Sequence, residues 1–139
     1  MRYLGLDLGT KTLGVAISDK LGLIASSVKT IKFDNEDYKS LVNEVKSLIE
    51  EYNVNTIVLG LPKNMNNSLG FASERSMNFK KLLEEELNIE VILEDERLSS
   101  VEANNIMINA DISRKKRKAK VDTLAATIIL QRYLDRKDK

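Results

Sequence analysis

The chain contains no cysteine and no histidine. The first absence removes disulfides, thiolate nucleophiles and cysteine–zinc sites. The second removes imidazole bases, Ser-His-Asp triads and the usual zinc ligands. Any catalysis therefore rests on carboxylates, lysine, hydroxyl groups, or a metal bound through oxygen. Proline occurs once, at Pro62, and there is no repeat, low-complexity tract or linker. Nothing divides the 139 residues, which are expected to form a single domain, 1–139, around one core. No apolar run approaches the length of a bilayer span, and strand-like sequence follows Met1 directly, without a signal peptide. The expectation is a cytoplasmic protein with no membrane partner. Only seven residues are Phe or Tyr, so an aromatic base-stacking platform and sequence-specific reading of nucleic acid have little support.

What the chain does carry is an uneven charge. The formal net charge is +1, yet Arg114, Lys115, Lys116, Arg117, Lys118 and Lys120 put six cations into seven residues. Without them, 16 basic residues face 21 acidic ones, and the rest of the chain is acidic. One concentrated basic stretch on an acidic body suggests a polyanion partner; a solvated, helix-flanking charge run is the alternative.

Alternation and apolar clustering predict strands at Arg2–Asp7, Leu13–Ser18 and about Ser27–Phe33, joined by turns short enough for an antiparallel meander. The period then becomes helical: Tyr38, Leu41, Val42, Val45, Leu48, Ile49 and Tyr52 share one face. Thr56–Leu61 reads as a buried parallel strand, Phe71–Leu87 as an amphipathic helix, and Val91–Glu94 as a fifth strand. Ser99 with Glu102 forms a capping box for a helix through about Ala110, and after the basic stretch a last helix runs from about Val121 to Tyr133. The layout is α/β: a mixed five-stranded sheet in the order 3-2-1-4-5, flanked by helices. In such sheets ligands gather beyond the carboxyl ends of the central strands.

Three acidic positions converge on that edge in the expected fold. Asp7 closes the first strand, the run Glu94-Asp95-Glu96 closes the fifth, and Asp122 stands in the first turn of the final helix. Ala125 and Ala126 follow Asp122 by three and four residues, on its own face of that helix. Small side chains there would let the helix lie close to the sheet and bring Asp122 towards Asp7. Carboxylates so gathered suit Mg²⁺ or Mn²⁺ and the hydrolysis of phosphodiesters, with no histidine required. Taken singly, Asp7 reads better as a turn former, Asp122 as a helix-opening acid, and Glu94–Glu96 as a polar loop edge; their meeting at one sheet edge is what favours the metal site.

The stretches GLDLGTKTLGVAISD, VLGLPKNMNNSLG, DERLSS followed by VEA, and KVDTLAATIIL together resemble the YqgF (RuvX) family of RNase H-fold nucleases over nearly the whole chain. The resemblance implies an RNase H-like, Holliday-junction-resolvase-like fold and a role in maturing the 5′ end of pre-16S rRNA. It puts Asp7 in the place of the strand-one catalytic acid, Glu96 in that of the acid after strand five, and Asp122 in that of the acid on the last helix. Related junction resolvases carry their middle acid after strand four, where this chain has Gly60-Leu61-Pro62. Lys63 and Asn67 depart from the family's usual residues in a loop near the active edge. Gly9 is expected to permit the turn after Asp7. Lys11 and Arg97 are candidates for pairing with substrate phosphates or for plain surface ion pairs. Ser99 reads as a cap, and Asn64 and Asn66 as groove residues or ordinary loop asparagines.

The leading expectation is a metal-dependent nuclease acting on pre-rRNA or branched DNA. Two rivals belong to other classes: a non-catalytic RNA-binding module on the same fold, and an ATP-binding domain of the actin-like superfamily, suggested by the DLGT turn. A homodimer would suit the symmetry of a four-way junction, whereas trimming an RNA end needs none.

Overall fold

Strand alternation sorts the first segment between two faces. In β1 (Arg2–Leu8), Leu4, Leu6 and Leu8 are buried on one side, which leaves Tyr3, Gly5 and Asp7 on the other. The structure is a computed structural model that describes residues 2–9, 11–34, 37–61, 71–95 and 114–137, with backbone only for 71–73 and 114–123. The Pro62–Leu69 loop, with Lys63, Asn64, Asn66 and Asn67, and the Ser99–Ala110 helix lie outside the described residues.

β2 (Thr12–Ser18) returns antiparallel to β1, pairing Asp7 with Gly14. β3 (Ala25–Lys32) returns antiparallel to β2, two residues earlier at its start than the sequence suggested. There Ala25 and Ser26, weak strand formers, are held by pairing with Ser18 and Ile17. Helix α1 (Tyr38–Tyr52) opens on Asp37, whose carboxylate accepts from the Ser40 N–H, and closes on Asn53 in the left-handed conformation. β4 (Val54–Leu61) lies parallel to β1, α2 (Phe71–Leu87) follows, and β5 (Glu90–Asp95) lies parallel to β4. The sheet order is β3-β2-β1-β4-β5, as expected.

The last helix differs from its expected start. α3 runs continuously from Arg114 to Lys137, so the basic stretch forms its first two turns instead of a segment before it. Lys, Arg and Ala are strong helix formers, and that propensity outweighs the mutual repulsion of the cations. Asp122 consequently stands eight residues inside α3, not in its first turn.

Two cores result, one on each side of the sheet. Leu4, Leu6, Leu13, Val15, Ile57 and Leu59 pack with Leu41, Val45 and Leu48 of α1 and Phe79 and Leu83 of α2. On the other face Ala16 and Val58 meet Ala126, Ile129, Leu130 and Leu134 of α3. No helix among the described residues is long and apolar enough to cross a membrane.

The α3 contact is unusually close at one point. A Cβ built on Gly5 would stand 2.8 Å from Leu130 Cβ and 3.1 Å from the Ala126 carbonyl oxygen. Neither atom is the free end of a flexible side chain, so the helix itself would have to move. Gly5→Ala is therefore expected to cost about 1–3 kcal/mol, the usual price of overpacking. That is despite the few tenths to about 1 kcal/mol that Ala gains over Gly in a strand. A urea midpoint within error of wild type would show that the helix does not rest on this strand.

Candidate active site

Successive contacts along β1 fix how α3 lies on it. Tyr3 meets Tyr133, with ring centroids 5.5 Å apart, and the Lys137 ammonium lies 5.5 Å from the Tyr3 ring. Two residues on, Gly5 meets Ala126 and Leu130. β3, which runs parallel to β1, repeats the direction. The Ala25 N–H donates to Gln131 Oε1 at 2.9 Å, and the Ser27 and Thr127 hydroxyls lie 2.7 Å apart. The helix thus runs antiparallel to β1, its later residues over the start of the strand. Asp7 is the next residue of β1 on that face, and Asp122 lies one helical turn before Ala126.

Asp7 is half-buried and second from the end of β1, since the strand continues to Leu8. Its partner on β2 is Gly14. On β4 the position after the Leu6–Leu59 pair is Gly60. Neither flanking residue has a side chain to fill the space over the carboxylate. The turn beyond is closed by the Gly9 N–H, which donates to the Thr12 carbonyl at 2.8 Å. Gly9 stands in this turn, as expected, without a left-handed backbone. What it supplies is room, because a Cβ there would press on the Thr12 carbonyl and hydroxyl oxygens at 3.3 Å. Lys11, exposed, sits in the same turn, its carbonyl accepting from the Phe33 N–H.

The acids of β5 separate by parity. Val91 and Leu93 pack into the core under α1 and α2, and Asp95 shares their parity. Glu94 faces α3, is 6 % exposed, and accepts a hydrogen bond from the Arg136 guanidinium, which also lies 5.8 Å from the Tyr133 ring. This ion pair was not foreseen from the sequence. Alternation along β5 gives Glu94 its face, but nothing local points to a partner 42 residues away. Glu96 and Arg97 lie outside the described residues, and Asp122 and the cations of 114–120 are described in backbone only. Among the described residues, which include neither Glu96 nor the Asp122 carboxylate, no group of three or more acidic side chains could hold a metal ion.

The fold is that of RNase H-like junction resolvases. "T. thermophilus RuvC in complex with Holliday junction substrate" matches with a TM-score of 0.62 at 14% identity, over 99% of this chain and 96% of that one. The fowlpox virus resolvase in complex with Holliday junction DNA matches with a TM-score of 0.60 at 17% identity, over 100% of both chains. At such identities the likeness shows the fold alone. Sequence carries further: residues 1–136 match RuvX, described as Holliday junction resolvase. A Geobacillus sp. (strain WCH70) protein bearing the provisional name pre-16S rRNA nuclease is 54% identical over 137 residues, 99% of each chain. The chain belongs to the RuvX family.

Burial raises the pKa of Glu94 above its ordinary value, while the positive charges of Arg136 and Arg132 pull it down less strongly. A carboxyl whose folded-state pKa is raised favours folding fully below its unfolded value, and that contribution is lost as pH rises through the raised one. Glu94→Gln is therefore expected to flatten the fall in stability above about pH 4.5, read from urea midpoints in EDTA. Arg136→Gln should steepen that fall and cost about 1–3 kcal/mol at pH 7, because it strands a buried acid. Identical pH profiles for Glu94→Gln and wild type would contradict a burial-raised carboxyl at this position.

Proposed function

We propose that the chain, acting as one domain over residues 1–139, is a metal-dependent nuclease that hydrolyses phosphodiester bonds in processing the 5′ end of pre-16S rRNA. The observation that carries this reading is the stepwise seating of α3 on β1, Tyr133 by Tyr3 and Ala126 by Gly5. Continued by one step along both elements, that seating supports a position for residue 122 beside Asp7. The family's membership and the name of the Geobacillus relative supply the substrate class. Cleavage of branched DNA is the second reading, favoured by the family description and by the two resolvases seen with junction DNA. Family membership weighs against a nucleotide-binding domain, and retention of all three acids weighs against a purely RNA-binding module. The setting is cytoplasmic, and a homodimer is needed only for the junction reading.

The donor set fits a hard divalent cation. Asp7 is a half-buried carboxylate between two positions without side chains, which leaves room for the waters that Mg²⁺ retains beside one or two carboxylates. Asp7, Asp122 and Glu96 would hold Mg²⁺ or Mn²⁺; Glu96 is preferred over Glu94 because Glu94 is bound by Arg136, and over Asp95 because the family resemblance of DERLSS puts the acid there. Such an ion supplies Lewis-acid activation of water and stabilises the departing oxygen. The protein's own residues position the substrate. Lys11 stands at the Asp7 edge, and Arg97 follows Glu96, each a cation for a flanking phosphate. The stretch Arg114–Lys120 binds backbone without reading sequence, so affinity falls as salt rises.

Asp7→Asn keeps the volume and removes the charge. It is expected to fold as wild type and to lower kcat at least about a hundredfold, ~2.7 kcal/mol on the barrier. The check is magnesium-dependent cleavage of a precursor rRNA leader beside a four-way DNA junction. Wild-type rates in the variant would remove Asp7 from the chemistry.

A further inference from the structure

The continuity of α3 has a geometric result that concerns its first two turns. At 1.5 Å per residue, 24 helical residues span about 36 Å, whereas the seven residues of β1 span about 23 Å. Contacts with the sheet occupy the later part of the helix: Thr127 and Gln131 on β3, Ala126, Leu130 and Tyr133 on β1, and Arg136 on β5. These contacts give the helix its direction, antiparallel to β1. Its N-terminal turns are therefore carried past Asp7 and beyond the carboxyl edge of the sheet. Arg114 stands eight residues, about 12 Å of rise, before Asp122, and Lys120 only about 3 Å.

All six cations of the basic stretch fall in that overhang. As helical residues they include five like-charge pairs at i,i+3 or i,i+4 spacing: 114 with 117 and 118, 115 with 118, 116 with 120, and 117 with 120. The first turn carries no acidic residue, so its cations also oppose the helix dipole. An arrangement that works against the helix's own stability is offset when polyanion phosphates lie along it. A flexible basic loop could also attract phosphates, but it could not hold them at a set distance. An unbroken helix can.

We propose that the first two turns of α3 form a rigid basic arm overhanging the Asp7 edge, which grips one strand of the substrate at a fixed distance from the cleaved bond. The inference rests on the nuclease reading above and deepens it by giving the substrate a length requirement on one side. An arm reaching about 12 Å spans three or four phosphates of a duplex strand, at ~3.4 Å of axis per phosphate. The substrate therefore needs at least about three nucleotides on the gripped side of the cut and few on the other.

The test combines cleavage and binding. Wild-type protein is given a structured precursor rRNA leader shortened one nucleotide at a time, first on one side of the cut and then on the other. The expected result is a loss of tenfold or more in kcat/KM when fewer than about three nucleotides remain on one side, with less than threefold effect on the other. Equal losses on both sides, or none on either, overturn the arm. In parallel, metal-free fluorescence anisotropy with the labelled leader compares wild type with a variant carrying Lys115→Gln, Lys116→Gln, Arg117→Gln and Lys118→Gln. Glutamine preserves helix propensity, and circular dichroism checks the fold. The plot of log affinity against log salt should become shallower by about 2 or more, at ~0.7–0.9 per phosphate contact; an unchanged slope overturns the arm. If wild type cleaves no leader, the rRNA-processing reading fails, and the anisotropy slope still decides whether the arm holds nucleic acid.

Discussion

Everything at the Asp7 edge depends on a side chain that is missing. Gly5 lies in the middle of the central strand, and the absence of a Cβ lets the α3 backbone come down to the sheet at Ala126. Ala125 and Ala126, both fully buried, do the same from the helix side. Close seating does more than bury apolar surface. It removes the freedom of α3 to slide or lift, since Leu130 Cβ and the Ala126 carbonyl meet the strand without a compliant side chain between them. Tyr3 with Tyr133 and Ser27 with Thr127 then fix rotation and direction. With the helix pinned in three places, the location of residue 122 relative to residue 7 follows from the geometry of two regular elements.

The same helix unites two tasks. Its later half is a structural slab covering the β3-β2-β1 side of the sheet, its middle carries Asp122, and its first turns carry the positive charge. In the proposed enzyme, gripping the strand and placing the acid are done by one rigid body. The acids of β5 divide differently. Glu94, buried and bound to Arg136, ties the end of α3 to the edge strand β5, so its carboxylate serves the scaffold.

Much of this was legible in the sequence because it depends on periodicity. The strand order follows from three closely spaced alternating segments and two helix-linked apolar ones. The close approach of the last helix follows from two alanines a turn beyond Asp122. Three things were not legible, each for a physical reason. The start of α3 was hidden because six neighbouring cations resemble a solvated segment, although Lys and Arg are good helix formers. The first residues of β3 were hidden because pairing with β2, not propensity, makes them strand. The Glu94–Arg136 pair was hidden because it joins residues distant in sequence, and only the finished packing brings them together. DERLSS, read as carrying the middle acid, remains a matter of resemblance; the fold gives the preceding Glu94 its partner, Arg136.

The central claim is that Asp7 and Asp122 act on the same ion, and paramagnetic broadening by Mn²⁺ tests it most directly. In a nitrogen-15 spectrum of the protein, substoichiometric Mn²⁺ should broaden the amide resonances of residues 7–9 and 121–123 together, at the same metal concentration, and Asp7→Asn should abolish both effects. Broadening confined to one of the two segments, or broadening around Asp122 that survives Asp7→Asn, would contradict it.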